Sequence, residues 1–111
     1  MTPLAQQSCQ PIAKGSPAMD VTQAKEYLTH IPGWTNIDDQ AITRDFKFSN
    51  YYQTMAFVNA VAYIVHQCDH HPDMEVGYNH CKITYTTHSV NGLSLNDFIC
   101  AAKIDHLDNE K

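Results

Sequence analysis

The sequence predicts an α+β fold in which three helices pack on one face of a four-stranded antiparallel sheet, in the order α-β-β-α-β-β-α. Three observations lead to this prediction. Apolar residues recur at helical spacing in three segments, they alternate with polar residues in others, and turn-forming residues lie between the segments. A chain of 111 residues has the length of a single domain.

The chain begins with a segment of weak pattern. Residues 1–19 show little apolar periodicity, and we interpret them as a flexible N-terminal arm before a single domain over residues 20–111. Asp20 is a good N-cap for the first helix, whose apolar residues follow at helical spacing. Pro32-Gly33 predicts the end of that helix.

In residues 34–48 the apolar residues recur with a period of two, which is typical of strands. Asp38-Asp39-Gln40 predicts the turn of a two-stranded hairpin. Arg44 interrupts the apolar face of the second strand, so we expect it at a sheet edge or beside a carboxylate.

The longest predicted element is a helix over about residues 51–69, capped by Ser49 or Asn50. Its apolar residues cover more of the helix surface than one sheet face could bury. The excess predicts self-association, as a homodimer or a homotetramer.

Pro72 ends this helical run, and two short strands are predicted after it, over residues 74–78 and 80–87. Ser94 and Asp97 have the spacing of a helix capping box, with Asp in place of the usual Glu. The apolar helical pattern that follows completes the predicted order of elements.

The composition argues against several functions. The formal net charge is −5 and Lys and Arg form no cluster, which disfavours direct binding of nucleic acid or of anionic membranes. No apolar run reaches the roughly 18 residues of a membrane-spanning helix, and the N-terminus does not resemble a secretory signal. The four cysteines lack a C-x-x-C motif, and we expect reduced thiols in a cytoplasmic protein.

Five of the seven histidines fall between residues 66 and 88, and four of them form the candidate group. His66 and His70 share a helix face at a spacing of four, and His71 follows at the C-terminal end of the predicted helix. His88 ends the predicted fourth strand, where the next loop is free to face the same pocket. Imidazole exchanges protons near neutral pH, so the group predicts acid–base chemistry at a pocket rim.

The same region offers metal ligands as an alternative. His66, Cys68, His70 and His88 are residue types that bind zinc. Because the sequence contains neither H-E-x-x-H nor paired C-x-x-C, we expect the site to work without a metal or another cofactor. A cysteine nucleophile is also disfavoured, since Cys68 and Cys81 fall on apolar stripes where cysteine is usually a small core residue.

The histidines belong to a more specific pattern. His66-x3-His70-His71-Pro72 is followed at set distances by Tyr78, His88 and Asp97, and the whole resembles the signature of the pterin-4a-carbinolamine dehydratases. The resemblance covers about residues 20–105. Segments outside the pattern that also resemble this family are Pro32-Gly33-Trp34, residues 42–48, Met55-Ala56-Phe57-Val58 and Gly92-Leu93-Ser94.

The resemblance implies a dehydratase for 4a-hydroxytetrahydrobiopterin or a related 4a-hydroxytetrahydropterin, which aromatic amino-acid hydroxylases produce. Loss of the 4a-hydroxyl as water and of the N5 proton gives the quinonoid dihydropterin, which a separate reductase recycles. The implied catalytic group is His70, His71 and His88, and we expect His70 and His88 to transfer protons while His71 holds the pterin. The implied pterin-binding residues are Asp69, His70, His71, Thr86, Thr87, His88 and Ser89.

Two positions depart from the family pattern. Position 66 is often glutamate in the family, and His66 would lie just behind the residues that touch the pterin. The change removes a negative charge near the imidazoles and predicts a shifted pH optimum. Ser89 replaces an acidic residue of animal members.

The alternative function is a self-associating module without catalysis that regulates a hydroxylase or a transcription factor.

Overall fold

The computed structural model describes residues 2–109 and confirms the predicted α+β architecture. All neighbouring strands are antiparallel, and their order in the sheet is β1-β2-β4-β3. In chain order the elements are α1 (Val21–Leu28), β1 (Thr35–Ile37), β2 (Ala41–Lys47), α2 (Tyr51–Cys68), β3 (Asp73–Val76), β4 (His80–Tyr85) and α3 (Leu95–Asn109). Two 3-10 turns lie outside this series, at Leu4–Gln6 and His88–Val90.

The two faces of the sheet differ in polarity because side chains alternate along its central strands. One face packs against the helices, where the ring of Phe57 in α2 lies 4.7 Å from that of Phe46. The opposite face carries polar residues such as Asp45 and Lys82, which are exposed. The buried residues of the two central strands are Ile42, Phe46, Cys81, Ile83 and Tyr85.

Arg44 has the carboxylate partners that the sequence predicts. Its guanidinium donates to Asp105 at 2.7 Å and to Asp108 at 3.2 Å, both in α3, and lies 4.3 Å above the ring of Phe46. Asp105 also accepts a 2.8 Å hydrogen bond from the indole of Trp34. Burial raises the pKa of Asp105, against the effect of these two donors. The cluster ties the hairpin to α3.

The first two helices begin where the sequence predicts. Asp20 accepts a hydrogen bond from the backbone N–H of Gln23 at 2.8 Å, and Asn50, not Ser49, caps α2 by accepting from Gln53 at 2.9 Å. Each cap satisfies a backbone donor that the first turn of a helix leaves unpaired.

Within the part of the chain that the structure describes, no helix combines the length and hydropathy needed to cross a bilayer.

β3 ends at Val76, two residues earlier than predicted. The backbone N–H of Gly77 donates to the carbonyl of His80 at 2.9 Å, which closes a turn between β3 and β4. A side chain at Gly77 would collide with the imidazole of His80, so the turn requires glycine here unless that ring moves.

β4 ends at Tyr85, and the prediction of a strand through Thr87 is wrong at its last two residues. Asn91 adopts left-handed backbone with φ 54°, and the chain returns so that the N–H of Thr87 donates to the carbonyl of Gly92 at 2.8 Å. His88 therefore opens a 3-10 turn and does not end a strand.

Residues 2–19 contain one 3-10 turn and otherwise irregular backbone, and they lie against α3 and the segment before it. Leu4 is buried in the core, and the ammonium of Lys103 donates to the carbonyl of Ala5 at 2.8 Å. The N–H of Met19 donates to the carbonyl of Leu93 at 2.8 Å. The division into a flexible arm and a domain from residue 20 stays a prediction.

Candidate active site

The predicted site is organised around a buried carboxylate, that of Asp97 in the first turn of α3. One oxygen of Asp97 lies 2.6 Å from Nε2 of His70. The other accepts hydrogen bonds from the hydroxyl of Thr87 at 2.8 Å and from the backbone N–H of Ser94 at 2.9 Å. Asp97 thus joins the loop after α2, the segment after β4 and the start of α3.

The local sequence explains why this carboxylate is buried there. Asp97 and Ser94 form half of the predicted capping box, because the side chain of Asp97 bonds the backbone N–H of Ser94. The hydroxyl of Ser94 bonds the Thr87 hydroxyl at 2.7 Å, so the other half of the box is replaced by a link to the segment after β4. A buried charge requires such partners, and the positive end of a helix dipole favours it further.

His70 is fixed from three sides. α2 ends at Cys68 because Asp69 adopts left-handed backbone with φ 50°, which redirects the chain. The His70 ring stacks on Tyr85, with centroids 5.1 Å apart, and the Tyr85 hydroxyl donates to the His70 carbonyl at 3.1 Å. Burial raises the pKa of Tyr85, so this phenol stays protonated as a donor. The His70 side chain keeps 15% exposure and reaches solvent along one edge.

Three grooves adjoin this network. The arm groove, of about 430 Å³, is lined by residues 9–12 of the arm and by Gln67, Cys68, Asp69, His70, Thr87, Ser89 and Asn96. The helix-end groove, of about 650 Å³, is lined by Ala62, Val65, His66, Asp69, His70, His71, Pro72 and Met74. The hairpin groove, of about 610 Å³, is lined by Ile37, Asp38, Gln40, Ala41, Asp73, Thr84, Thr86, His88 and Asn91.

The structure brings some of the predicted site residues together and separates others. Asp69 and His70 border both the arm groove and the helix-end groove, and His66 and His71 share the latter. His88 is exposed in the hairpin groove and lines neither of the other two. A pocket shared by His70 and His88 stays a prediction.

A chain of hydrogen bonds nevertheless connects the two histidine-bearing segments. His70 bonds Asp97, Asp97 bonds Thr87, and Thr87 immediately precedes His88. The N–H and the hydroxyl of Thr87 both bond within the protein, so this residue holds its segment in place.

Two contributors to the site were not among the predicted site residues. Asp97 was identified only as a helix-capping residue and as one position of the family pattern, and its spacing from His88 in that pattern was the available signal. The arm residues 9–12 carried no signal, because irregular backbone that follows another element's surface has no periodicity.

The suggested zinc set of His66, Cys68, His70 and His88 does not converge in the described residues 2–109. The sulfur atoms of Cys9, Cys68 and Cys100 do converge, within 4.8 Å of one another. The Cys100 thiol beside Cys9 lowers the pKa of Cys9 to about 6, whereas burial raises that of Cys68.

Comparison with known proteins decides the family. The profile of the family described as pterin 4 alpha carbinolamine dehydratase matches residues 17–107. The chain belongs to this family. The candidate site histidines and Asp97 all lie within the matched residues.

Bacterial family members are similar along nearly the whole chain. A protein of Nitrosomonas eutropha is 54% identical over 104 residues, which cover 94% of this chain and 92% of that protein. A protein of Hydrogenovibrio crunogenus is 52% identical over 105 residues, which cover 94% of this chain and 93% of that protein. The names of both assign them only provisionally as pterin-4-alpha-carbinolamine dehydratases.

Two solved structures share the fold. The transcriptional coactivator/pterin dehydratase of Brucella melitensis superposes with a TM-score of 0.78 at 32% identity, covering 81% of this chain and 97% of that one. A pterin dehydratase-like protein identified as a RuBisCO assembly factor in the alpha-carboxysome gives a TM-score of 0.56 at 24% identity. The match covers 67% of this chain and 84% of that one. At that identity the second likeness concerns the fold alone.

Proposed function

We propose that the protein dehydrates a 4a-hydroxytetrahydropterin, such as 4a-hydroxytetrahydrobiopterin, to the quinonoid dihydropterin and water. The observation that carries the proposal is an imidazole, His70, held at a groove rim by the buried carboxylate of Asp97. Membership of the dehydratase family supports this chemistry, as does the cluster of His66 and His71 in the same groove.

The reaction needs two proton transfers and no change in oxidation state. The departing 4a-hydroxyl must gain a proton to leave as water, and N5 must lose one as the C4a–O bond breaks. A positioned imidazole serves either step near neutral pH, and each such contribution accelerates a reaction by about 10²–10⁴. Metal and cofactor chemistry is not required, and we expect activity to persist in the presence of a chelator.

This proposal gives His70 a defined role. We expect the Nε2–H of His70 to donate to the carboxylate of Asp97, which would fix this tautomer and leave Nδ1 as the nitrogen that exchanges a proton. His88 performs the second transfer, and His71 holds the pterin from the helix-end groove. Asp69 and the segment of Thr86, Thr87 and Ser89 complete the proposed pterin contacts, with His66 behind them.

The proposal extends to the surroundings of the enzyme. An aromatic amino-acid hydroxylase supplies the 4a-hydroxypterin and a reductase consumes the quinonoid product, which is the recycling of a reduced pterin. We place this activity in the cytoplasm.

The proposed function is tested by stopped-flow absorbance of freshly generated 4a-hydroxytetrahydropterin, with and without the protein, each in the presence and in the absence of EDTA. The protein is expected to accelerate loss of the intermediate well beyond the buffer rate. Loss of the acceleration on chelation, with recovery on added zinc, would contradict the metal-free mechanism. No acceleration would overturn the enzyme and favour a binding module without catalysis. The Brucella melitensis protein is named a transcriptional coactivator as well as a pterin dehydratase.

We also propose that the protein is a homodimer or a homotetramer that associates through α2. Tyr52 is 85% exposed and Tyr63 65% exposed, and they flank Ala56 and Ala60 on one helix face. Ala56 and Ala60 also line a largely apolar groove with Phe57. Exposed apolar surface of this kind usually marks a partner site.

Light scattering at micromolar concentration is expected to give at least twice the 12.5 kDa of one chain. Tyr63→Glu places a charge on the apolar face and should shift the protein toward the monomer, because a buried unpaired charge is costly. Thr22→Glu, on the exposed surface of α1, is the matched control and should not change the mass. A wild-type monomer would contradict the proposed association.

A further inference from the structure

Three of the four cysteines converge on one point from distant parts of the sequence. Cys9 lies in the arm, Cys68 is the last residue of α2, and Cys100 lies in α3. Their sulfur atoms all lie within 4.8 Å of one another, and those of Cys9 and Cys100 are 3.5 Å apart. No other group of three ligand-type side chains in residues 2–109 is this compact.

We propose that Cys9, Cys68 and Cys100 form a binding site for one soft d10 cation, Zn²⁺ or Cu⁺. Thiolate sulfur selects these ions over hard cations such as Mg²⁺. A metal about 2.3 Å from each sulfur holds tetrahedral thiolates about 3.8 Å apart. The observed sulfur separations lie around this value, so binding requires only small side-chain movements.

The surroundings suit an ion that enters from solvent. Cys100 is fully buried, whereas Cys9 and Cys68 are partly exposed and line the arm groove. The ion would bind at the groove wall, with three sulfurs on the protein side. Zn²⁺ would take its fourth ligand from water in the groove, as in zinc sites with three protein ligands, whereas three thiolates suffice for Cu⁺.

Cys100 lies in the hydrophobic core and Cys9 and Cys68 pack against it, but packing alone does not require their three sulfurs to meet. Cys81 serves as the comparison, because it is fully buried in β4 and its thiol lies in no cluster with other thiols of residues 2–109. Cys9 instead lies in irregular backbone, where its sulfur meets Cys100 and the carbonyl of Asn96 at 3.9 Å. The proposed cation site shares the arm groove with His70, but no proton transfer of the dehydration passes through its thiols. A failure to bind metal would therefore leave the proposed dehydratase activity untouched.

Native mass spectrometry of the reduced full-length chain, titrated without oxygen with Zn²⁺ and separately with Cu⁺ as its bicinchoninate complex, tests the site. At least one of the two ions is expected to bind with a stoichiometry of one. Cys9→Ser should lower the affinity by about 10²-fold or more, because it removes a ligand from the arm without disturbing the core. Cys81→Ala is the matched control and should bind like the wild type.

Limited proteolysis with trypsin tests whether a bound metal holds the arm in place. Lys14 is exposed in the arm, so trypsin should cleave after it, and a metal tied to Cys9 should slow that cleavage in the wild type and in Cys81→Ala. The Cys9→Ser variant should show no metal-dependent protection. Absence of stoichiometric binding by both ions, or equal affinity in Cys9→Ser, would overturn the proposal.

Discussion

His70→Ala is expected to lower the single-turnover rate of pterin dehydration by about 10²–10⁴, or roughly 3–5 kcal/mol of activation free energy. The substitution removes the imidazole that Asp97 holds at 2.6 Å and that we propose exchanges a proton with the substrate. The fall in this rate caused by His88→Ala should lie in a similar range. If both rings act on one pterin, the double variant should be only slightly slower than the poorer single variant, since groups that act as a unit are not additive.

Two further histidines separate catalysis from general damage. His71→Ala should mainly weaken binding, because a positioning group interacts with ground state and transition state alike. His80 begins β4 at the end remote from His88 and pairs with Asp45 at 3.0 Å, so His80→Ala is the control and should leave the rate unchanged. An equal loss in His80→Ala, with fold and assembly intact, would place the site elsewhere. Fully additive losses in the double variant would contradict a shared pocket.

The elements of the fold were predictable because each carries its own local signal. Asp20 and Asn50 cap their helices through their own side chains, and the alternation that buries Ile42 and Phe46 is visible in sequence. The end of β4 was not predictable from the same kind of signal. Thr86 and Thr87 continue a strand pattern, and only the return of the chain to pair Thr87 with Gly92 ends the strand at Tyr85.

The histidines of the candidate site and their sequence neighbours could be predicted, but the contacts between distant segments could not. The bond between His70 and Asp97 joins residues 27 positions apart, and it forms only when α3 packs beside the end of α2. The contact of Cys9 with Cys100 spans 91 positions and depends on the path of an irregular segment. Neither contact follows from periodicity or capping, because both are consequences of tertiary packing.

Asp97→Ala is expected to have the largest effect on stability of any site substitution, lowering the free energy of unfolding by about 3 kcal/mol. Asp97 is fully buried and serves three partners at once, namely His70, Thr87 and Ser94. Its removal leaves donors unpaired in a buried place, and each such donor costs about 1–3 kcal/mol. Urea denaturation followed by circular dichroism measures the loss, and an unchanged midpoint would show that the network does not hold these segments together.

Asp97→Asn separates the structural role of this carboxylate from its catalytic one. The amide keeps the size of Asp97 and can still accept from Ser94, so the loss of stability should be smaller than in Asp97→Ala. The rate of pterin dehydration should nevertheless fall by about 10²-fold or more, because His70 loses the anionic acceptor that fixes its tautomer. Asp97 touches His70 and acts on the reaction through it, so the fall should appear in kcat more than in KM.

Asp105→Asn is the matched control for this experiment. Asp105 lies in the same helix and accepts from Trp34 and Arg44, but it contacts none of the site histidines. Its substitution should lower stability while the rate per folded molecule stays at the wild-type value. If Asp97→Asn and Asp105→Asn lose activity only in proportion to their unfolded fraction, Asp97 supports the fold alone and His70 does not depend on it for catalysis.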